Sequence, residues 1–210
     1  MLAAPKRPMP VPEAGQRWGI LGGTFDPVHN GHLTLAHQIG LIEALSAVLL
    51  IPAFHHPFKD EPLLADYVHR VAMLERAVEG QDDLVVCEIE KEENLPGFTL
   101  DTIRALKKRF PGVEFYFIIG LDNLSRVSGW KEPEAILEEV SLLVGTRRGG
   151  DWTIPEGIPG NRVRFVYTDD VPVSSTELRE AIASGVPDTQ LREMVPESVI
   201  QYIRKNGLYR

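Results

Sequence analysis

The amino-acid sequence predicts an open α/β fold, a mostly parallel sheet with helices on both faces. Three observations carry that prediction. Short apolar runs alternate with longer segments of helical spacing along most of the chain, which is the pattern of repeated strand–helix–strand units. The run Val113-Glu114-Phe115-Tyr116-Phe117-Ile118-Ile119 is apolar at six of its seven positions, as suits a strand buried on both faces. The pair Gly22-Gly23 directly follows the first apolar run, where the first strand of such a fold turns into its first helix. Ligands of open α/β sheets bind outside the carboxyl ends of the strands.

The elements follow in order. Residues 1–16 contain Pro5, Pro8, Pro10 and Pro12, a density that feeds neither a helix nor a central strand, so an irregular tail is expected. No apolar stretch of signal-peptide length stands behind Lys6 and Arg7, so secretion is not expected. Strands are expected at residues 18–21, 48–51, 84–87, 113–119, 141–144 and 163–166, each a short apolar run. The intervening segments predict helices at about residues 31–46, 66–79, 99–109, 133–140, 175–183 and 197–205. Asp66 is an expected N-cap, Thr99 stands just before the apolar Leu100, and Asn206-Gly207 supplies a stop. With no internal repeat and no boundary signal, residues 17–210 read as one domain.

Composition narrows the function classes. The chain has 210 residues, 22 Lys+Arg and 30 Asp+Glu, a formal charge of −8, and a sequence pI near 5.3. That balance argues against a general nucleic-acid binder, which presents a basic surface. Hydrophobic residues make up 43%, so a core can form without disulfides or a structural metal. The single cysteine, Cys87, excludes an internal disulfide and a cysteine-based zinc site, and fits a reducing compartment. No stretch approaches the ~18 apolar residues of a membrane helix. A soluble, cytoplasmic protein is the expectation. Oligomeric state leaves no trace in the sequence.

Two segments can carry chemistry. The first is Gly22-Gly23-Thr24-Phe25-Asp26-Pro27-Val28-His29-Asn30-Gly31-His32. Glycines at a strand end let backbone amides approach an anion, and a helix starting near Gly31 adds its N-terminal amides and dipole. His29 and His32, three apart at a helix entry, can face one ligand and donate to phosphate oxygens. The competing readings are a plain Gly-Gly and Asp-Pro turn, or a metal site with Asp26, His29 and His32 as ligands. The second segment is Val173-Ser174-Ser175-Thr176-Glu177-Leu178-Arg179. Hydroxyls and free helix amides bind phosphate, and Arg179, one turn on, can fold back onto the same anion. Equally, Ser174 and Glu177 have the spacing of a capping box.

Taken together the two segments resemble a known pair. His29-Asn30-Gly31-His32 is similar to the HxGH signature of the nucleotidylyltransferase superfamily, and Ser174-Ser175-Thr176 with Arg179 to its second signature near the C-terminus. The longer string ending at His32 resembles the bacterial nicotinate-nucleotide adenylyltransferases in particular. That resemblance continues through Phe98-Thr99-Leu100-Asp101-Thr102, Ile119-Gly120-Leu121-Asp122, Trp130 and Tyr202-Ile203-Arg204. It implies a Rossmann-like sheet and transfer of the adenylyl group of ATP to nicotinate mononucleotide, with Mg2+ arriving on the ATP. It also implies site roles. Gly22, Gly23, Thr24 and Phe25 would floor the space between the nucleotides, and Ser174, Ser175, Thr176 and Arg179 would hold ATP opposite His29 and His32. Thr99, Trp130 and the backbone at Lys131 would recognise nicotinate. Gly120 and Asp122 would lie near the same floor, and Lys59 and Arg147 would neutralise phosphate.

Two positions depart from the family pattern. The family often has a histidine where this chain has Phe58, in Pro57-Phe58-Lys59, so a polar contact is absent or is replaced by His55 or His56. An aromatic often follows the stacking tryptophan, where this chain has Lys131. The alternatives are a sister transferase acting on phosphopantetheine, a metal-dependent hydrolase built on Asp26, His29 and His32, and a non-catalytic nucleotide-binding regulator. Among the remaining candidates, His37 and His69 read as surface or half-buried helix residues, and Cys87 as a small apolar strand residue. The acidic run at residues 88–93 reads as a solvated loop, or as a cover for the mononucleotide pocket. Trp152 has no assigned role.

Overall fold

The computed structural model describes residues 9–55, 64–147, 152–169 and 171–210. Residues 9–16 have no regular structure except a turn, yet Met9 packs against the core and Gly15 donates to Gly112 O at 2.9 Å. The elements then run β1 (Arg17–Gly23), α1 (Asn30–Ile42), β2 (Ala47–Pro52), α2 (Tyr67–Ala77), β3 (Leu84–Val86), α3 (Ile89–Glu92), α4 (Thr99–Arg109), β4 (Glu114–Gly120), α5 (Leu121–Leu124), α6 (Pro133–Glu139), β5 (Ser141–Thr146), β6 (Val163–Tyr167), α7 (Ser175–Ala183), α8 (Asp188–Leu191) and α9 (Glu197–Asn206).

Among the described residues six strands form one sheet in the order β3-β2-β1-β4-β5-β6, and every pairing is parallel. This is the Rossmann-like order, in which the chain reverses its direction of winding between β1 and β4 and leaves a crevice at their carboxyl ends. Side chains alternate between two cores, one on each face. Leu21, Val48, Leu50, Ile118 and Leu143 face the core shared with α1, α2, α7 and α9. Trp18, Ile20, Leu49, Phe117 and Val144 face the one shared with α4 and α6. Among the described residues, no helix is long and apolar enough to cross a membrane.

Three expectations need correction. The first helix ends at Ile42 rather than 46, because Ala44 adopts a left-handed φ of 50° and turns the chain toward β2. Asp66 stands at the N-cap of α2 but makes no side-chain cap bond. The acidic run at residues 88–93 is not a solvated loop. It holds α3, and Glu88 and Glu90 are buried. The readings of three further residues hold. His37 is exposed and meets Asp83 at 2.6 Å, His69 meets the Tyr202 hydroxyl at 2.9 Å, and Cys87 is buried with its thiol pushed up to about 11 by burial. Trp152 lies against Phe165, with ring centroids 5.3 Å apart, pinning its segment to β6.

Gly19, on β1, is closely surrounded by side chains of β2 and β4 and of the turn after α1. A Cβ there would stand 2.7 Å from Ile118 Cδ1, 3.0 Å from Leu45 Cδ1 and 3.2 Å from Val48 Cγ2. Those atoms belong to a packed core that yields little, so Gly19→Ala is expected to lower unfolding free energy by about 1–3 kcal/mol. Urea denaturation checks this, and an unchanged midpoint would show that the core relaxes there.

Candidate active site

The crevice predicted by the strand order exists as a cleft of about 1610 Å³. Its lining includes every site residue read from the sequence except Lys59, which lies outside the described residues together with His56, Pro57 and Phe58. Gly22, Gly23, Thr24, Phe25, Gly120 and Asp122 come from the ends of β1 and β4, and Arg147 follows the end of β5. Thr99 opens α4, and Trp130 and Lys131 precede α6.

Gly23 is needed for packing. A Cβ there would lie 3.0–3.2 Å from the Phe25 ring, which is buried and occupies that space. Phe25 reaches it with a φ of 51°, a backbone region that a residue with a Cβ adopts only when its surroundings impose it. The His32 ring meets Phe25 edge-on at 5.0 Å, and the His29 ring stacks on His32 with centroids 3.6 Å apart. Gly31 completes the motif for the same reason, because a Cβ would press within 3.1 Å of His29 Nδ1 and 3.3 Å of Val171 O.

Both imidazoles are neutral. Burial lowers His29 to about 4, with Glu177 opposing the shift, and burial and His29 together hold His32 well below the ordinary value. The His29 amide donates to His32 Nδ1 at 3.3 Å. That nitrogen therefore accepts, and the proton sits on Nε2 as a donor. The pair thus offers hydrogen-bond donors without charge.

At the second segment the capping-box reading holds. Ser174 Oγ accepts from Glu177 N at 3.1 Å and Glu177 Oε2 accepts from Ser174 N at 2.8 Å, so the capping box forms. The Ser175 hydroxyl donates to Pro27 O at 3.0 Å. Arg179 donates to Asp26 O at 2.8 Å and to Thr176 Oγ1 at 3.3 Å. The Ser175 hydroxyl and Arg179 knit α7 to the β1–α1 loop, and the first-turn amides of Ser175 and Thr176 are ones that a helix leaves without an intrahelical partner.

On the opposite wall the Trp130 ring is half-buried and meets Phe117 edge-on at 5.6 Å, which fixes its plane. The Lys131 ammonium lies over the Phe98 ring at 4.0 Å. Sequence reasoning missed Glu90 on this wall. Its carboxylate accepts from Phe54 N at 3.0 Å and from the Thr102 hydroxyl at 2.8 Å, and burial raises its pKa. It also missed Asn30, whose side-chain amide donates to Glu193 O at 3.0 Å and ties α1 to the chain after α8. A charged residue on the apolar side of α2, Arg70, was the available signal for a third omission, taken up below.

The hydrolase alternative fails on Asp26. Its carboxylate accepts from the Tyr209 hydroxyl at 2.6 Å and from Leu64 N at 3.0 Å, facing away from a shared position with the imidazoles. Among the described residues no three His, Cys, Asp or Glu side chains gather as metal ligands would.

A parallel sheet that opens at its switch point onto neutral donors, helix amides and a guanidinium defines a nucleotide-handling α/β protein. Comparison with known proteins narrows the class. The profile of the cytidylyltransferase-like family matches residues 20–181. A probable nicotinate-nucleotide adenylyltransferase of Tropheryma whipplei (strain Twist) is 35% identical over 190 residues, covering 90% of this chain and 98% of that one. One from Exiguobacterium sibiricum is 38% identical over 191 residues, covering 91% and 97%. The structure of Plasmodium falciparum nicotinic acid mononucleotide adenylyltransferase complexed with NaAD superposes with a TM-score of 0.73 at 18% identity, over 92% of this chain and 97% of that chain, a likeness of fold. The chain belongs to the nicotinate-nucleotide adenylyltransferases, within the cytidylyltransferase-like family.

The imidazole burial has a sign that can be measured. The unfolded chain takes up protons near pH 6.5, whereas folded His29 resists them until about 4, so stability is full above that window and falls as pH drops through it. Between pH 7 and 5 His29 is expected to remove up to about 2 kcal/mol. Urea titrations at both values should show a smaller loss for His29→Gln than for the wild type. Equal losses would mean that the ring is already hydrated.

Proposed function

We propose that this chain transfers the adenylyl group of ATP to nicotinate mononucleotide, giving nicotinate adenine dinucleotide and pyrophosphate for the synthesis of NAD. The observation that carries the reading is the convergence on one cleft of two parts far apart in sequence. The stacked His29 and His32 sit beside Arg179 and the start of α7, and across the β1 and β4 ends lie Thr99 and Trp130.

In this reading a phosphate oxygen of the mononucleotide attacks the α-phosphorus of ATP in line, the bond to the β-phosphate breaks, and pyrophosphate leaves. A phosphate anion is already a nucleophile, so the protein aligns two repelling anions and stabilises the charge that accumulates on the leaving group. The Nε2–H of His32 and the His29 ring are proposed to donate to ATP phosphates, with Arg179, Ser174, Ser175 and Thr176 holding ATP from α7. Gly22, Gly23, Thr24 and Phe25 form the floor. Thr99, Gly120, Asp122, Trp130 and Lys131 are proposed to receive the mononucleotide, the Trp130 ring against the pyridine, with Arg147 and Lys59 near phosphate. Mg2+, when bound, would shield the triphosphate, and the ligands expected for it are chiefly phosphate oxygens and water. A cytoplasmic setting is proposed, supported by a lone cysteine that needs no oxidising compartment.

Pyrophosphate release with ATP and magnesium tests the substrate, run in parallel with nicotinate mononucleotide, nicotinamide mononucleotide and phosphopantetheine. The strongest release is expected with nicotinate mononucleotide. Release with phosphopantetheine alone would overturn the proposed mononucleotide pocket. His32→Ala should lower kcat by roughly a hundredfold or more while thermal unfolding shifts little. Near-normal turnover would remove the imidazole from the reaction.

A further inference from the structure

Behind the β1–α1 loop lies a buried polar cluster that the adenylyl transfer described above does not use. Its members are Asp26, Arg70 and Tyr209, respectively 4%, 1% and 9% exposed. Arg70, on the inward side of α2, donates to Thr24 O at 2.6 Å and to Ala53 O at 2.9 Å. The Tyr209 hydroxyl donates to Asp26 Oδ1 across a separation of 183 residues, and Leu64 N donates to Oδ2. Asp26 and Arg70 attract one another, and Tyr209 feels both. The C-terminus is shaped for this contact. Gly207 caps α9 at a φ of 65° and Leu208 N returns to Ile203 O at 3.1 Å, a left-handed stop that turns the last residues back toward the loop.

Burying a guanidinium is costly, and hydrophobic packing stabilises a fold more cheaply. What this cluster does that apolar packing cannot is grip backbone oxygens. Thr24 O is held by Arg70, Asp26 O by Arg179, and Pro27 O by Ser175. Between the first two grips lies Phe25, held in its left-handed conformation, with its ring against His32. A shift of the loop therefore moves the ring on which the imidazole pair rests.

We propose that Tyr209, Asp26 and Arg70 are positioning residues for phosphate chemistry in the cleft: they hold the loop at residues 24–27, and through Phe25 the stacked imidazoles, in the shape that faces the phosphates. The inference rests on the proposed adenylyl transfer, and it gives Tyr209, 183 residues from Asp26, a positioning role in the cleft.

Tyr209→Phe removes one hydroxyl and keeps the ring. Tyr202→Phe is the matched control, a hydroxyl on α9 bonded to His69 at 2.9 Å with no contact to the loop. For Tyr209→Phe, kcat should fall about tenfold, with KM for both substrates within about twofold. Tyr202→Phe should keep wild-type kcat at a similar Tm. Equal kcat in the two variants would overturn the proposal. If Tyr209→Phe fails to fold, Asp26→Asn takes its place and is held to the same split between kcat and KM. A second readout needs no turnover. Imidazole 15N titration by NMR should show His29 or His32 of Tyr209→Phe moving up toward 6.5 as the loop loosens, and unmoved imidazoles count against the proposal. A wild type that makes no dinucleotide would refute the function and leave the imidazole shift to decide the positioning role.

Discussion

The site depends on one steric constraint, the absence of a side chain at Gly23, which lets the Phe25 ring fold onto the end of β1. From that contact the rest follows in sequence. The ring sets where His32 lies, His32 sets the plane of His29, and His29 requires a glycine at position 31. A side chain at either glycine would propagate a displacement through three aromatic rings, because packed rings do not yield independently.

Electrostatics follows from the same packing. The chain carries a formal charge of −8, while its proposed substrates are anions, so the attraction must be local. Stacking and burial keep the imidazoles uncharged. Among the described residues the cationic groups that line the cleft are Arg126, Lys131, Arg147 and Arg179, and helix amides add to them. Neutral donors preorganised by packing need little rearrangement as charge builds on a leaving group. In the proposed reaction, which moves no proton, a histidine pair can serve in this way.

Much of the fold was legible because its signals are local. Six apolar runs became six parallel strands, and β4 matched its run to within a residue at each end. The cleft was legible for a different reason, since glycines, histidines and the α7 cap are crowded into two short strings. What the sequence hid is whatever depends on long-range contact. The spacing of Asp26 to His29 left a metal site open as an alternative, and the sequence could not show that the carboxylate is held by Tyr209 and Leu64 N. Residues 88–93 looked solvated by composition, although Glu90 is drawn inward by Phe54 N and Thr102. Arg70 stood out only as a charge on an apolar helix face, and no periodicity argument says what such a charge holds.

The separation of 183 residues between Asp26 and Tyr209 also bears on how the molecule is made. A chain emerges from the ribosome N-terminus first, and β1, α1 and β2 are available to pair long before Tyr209 leaves the exit tunnel. The partner of Asp26 is still enclosed at that stage. The loop that holds Phe25 can therefore take its final shape only after Tyr209 has emerged and folded back onto Asp26. Completion of the cleft trails the pairing of the first strands and waits on the segment that follows α9.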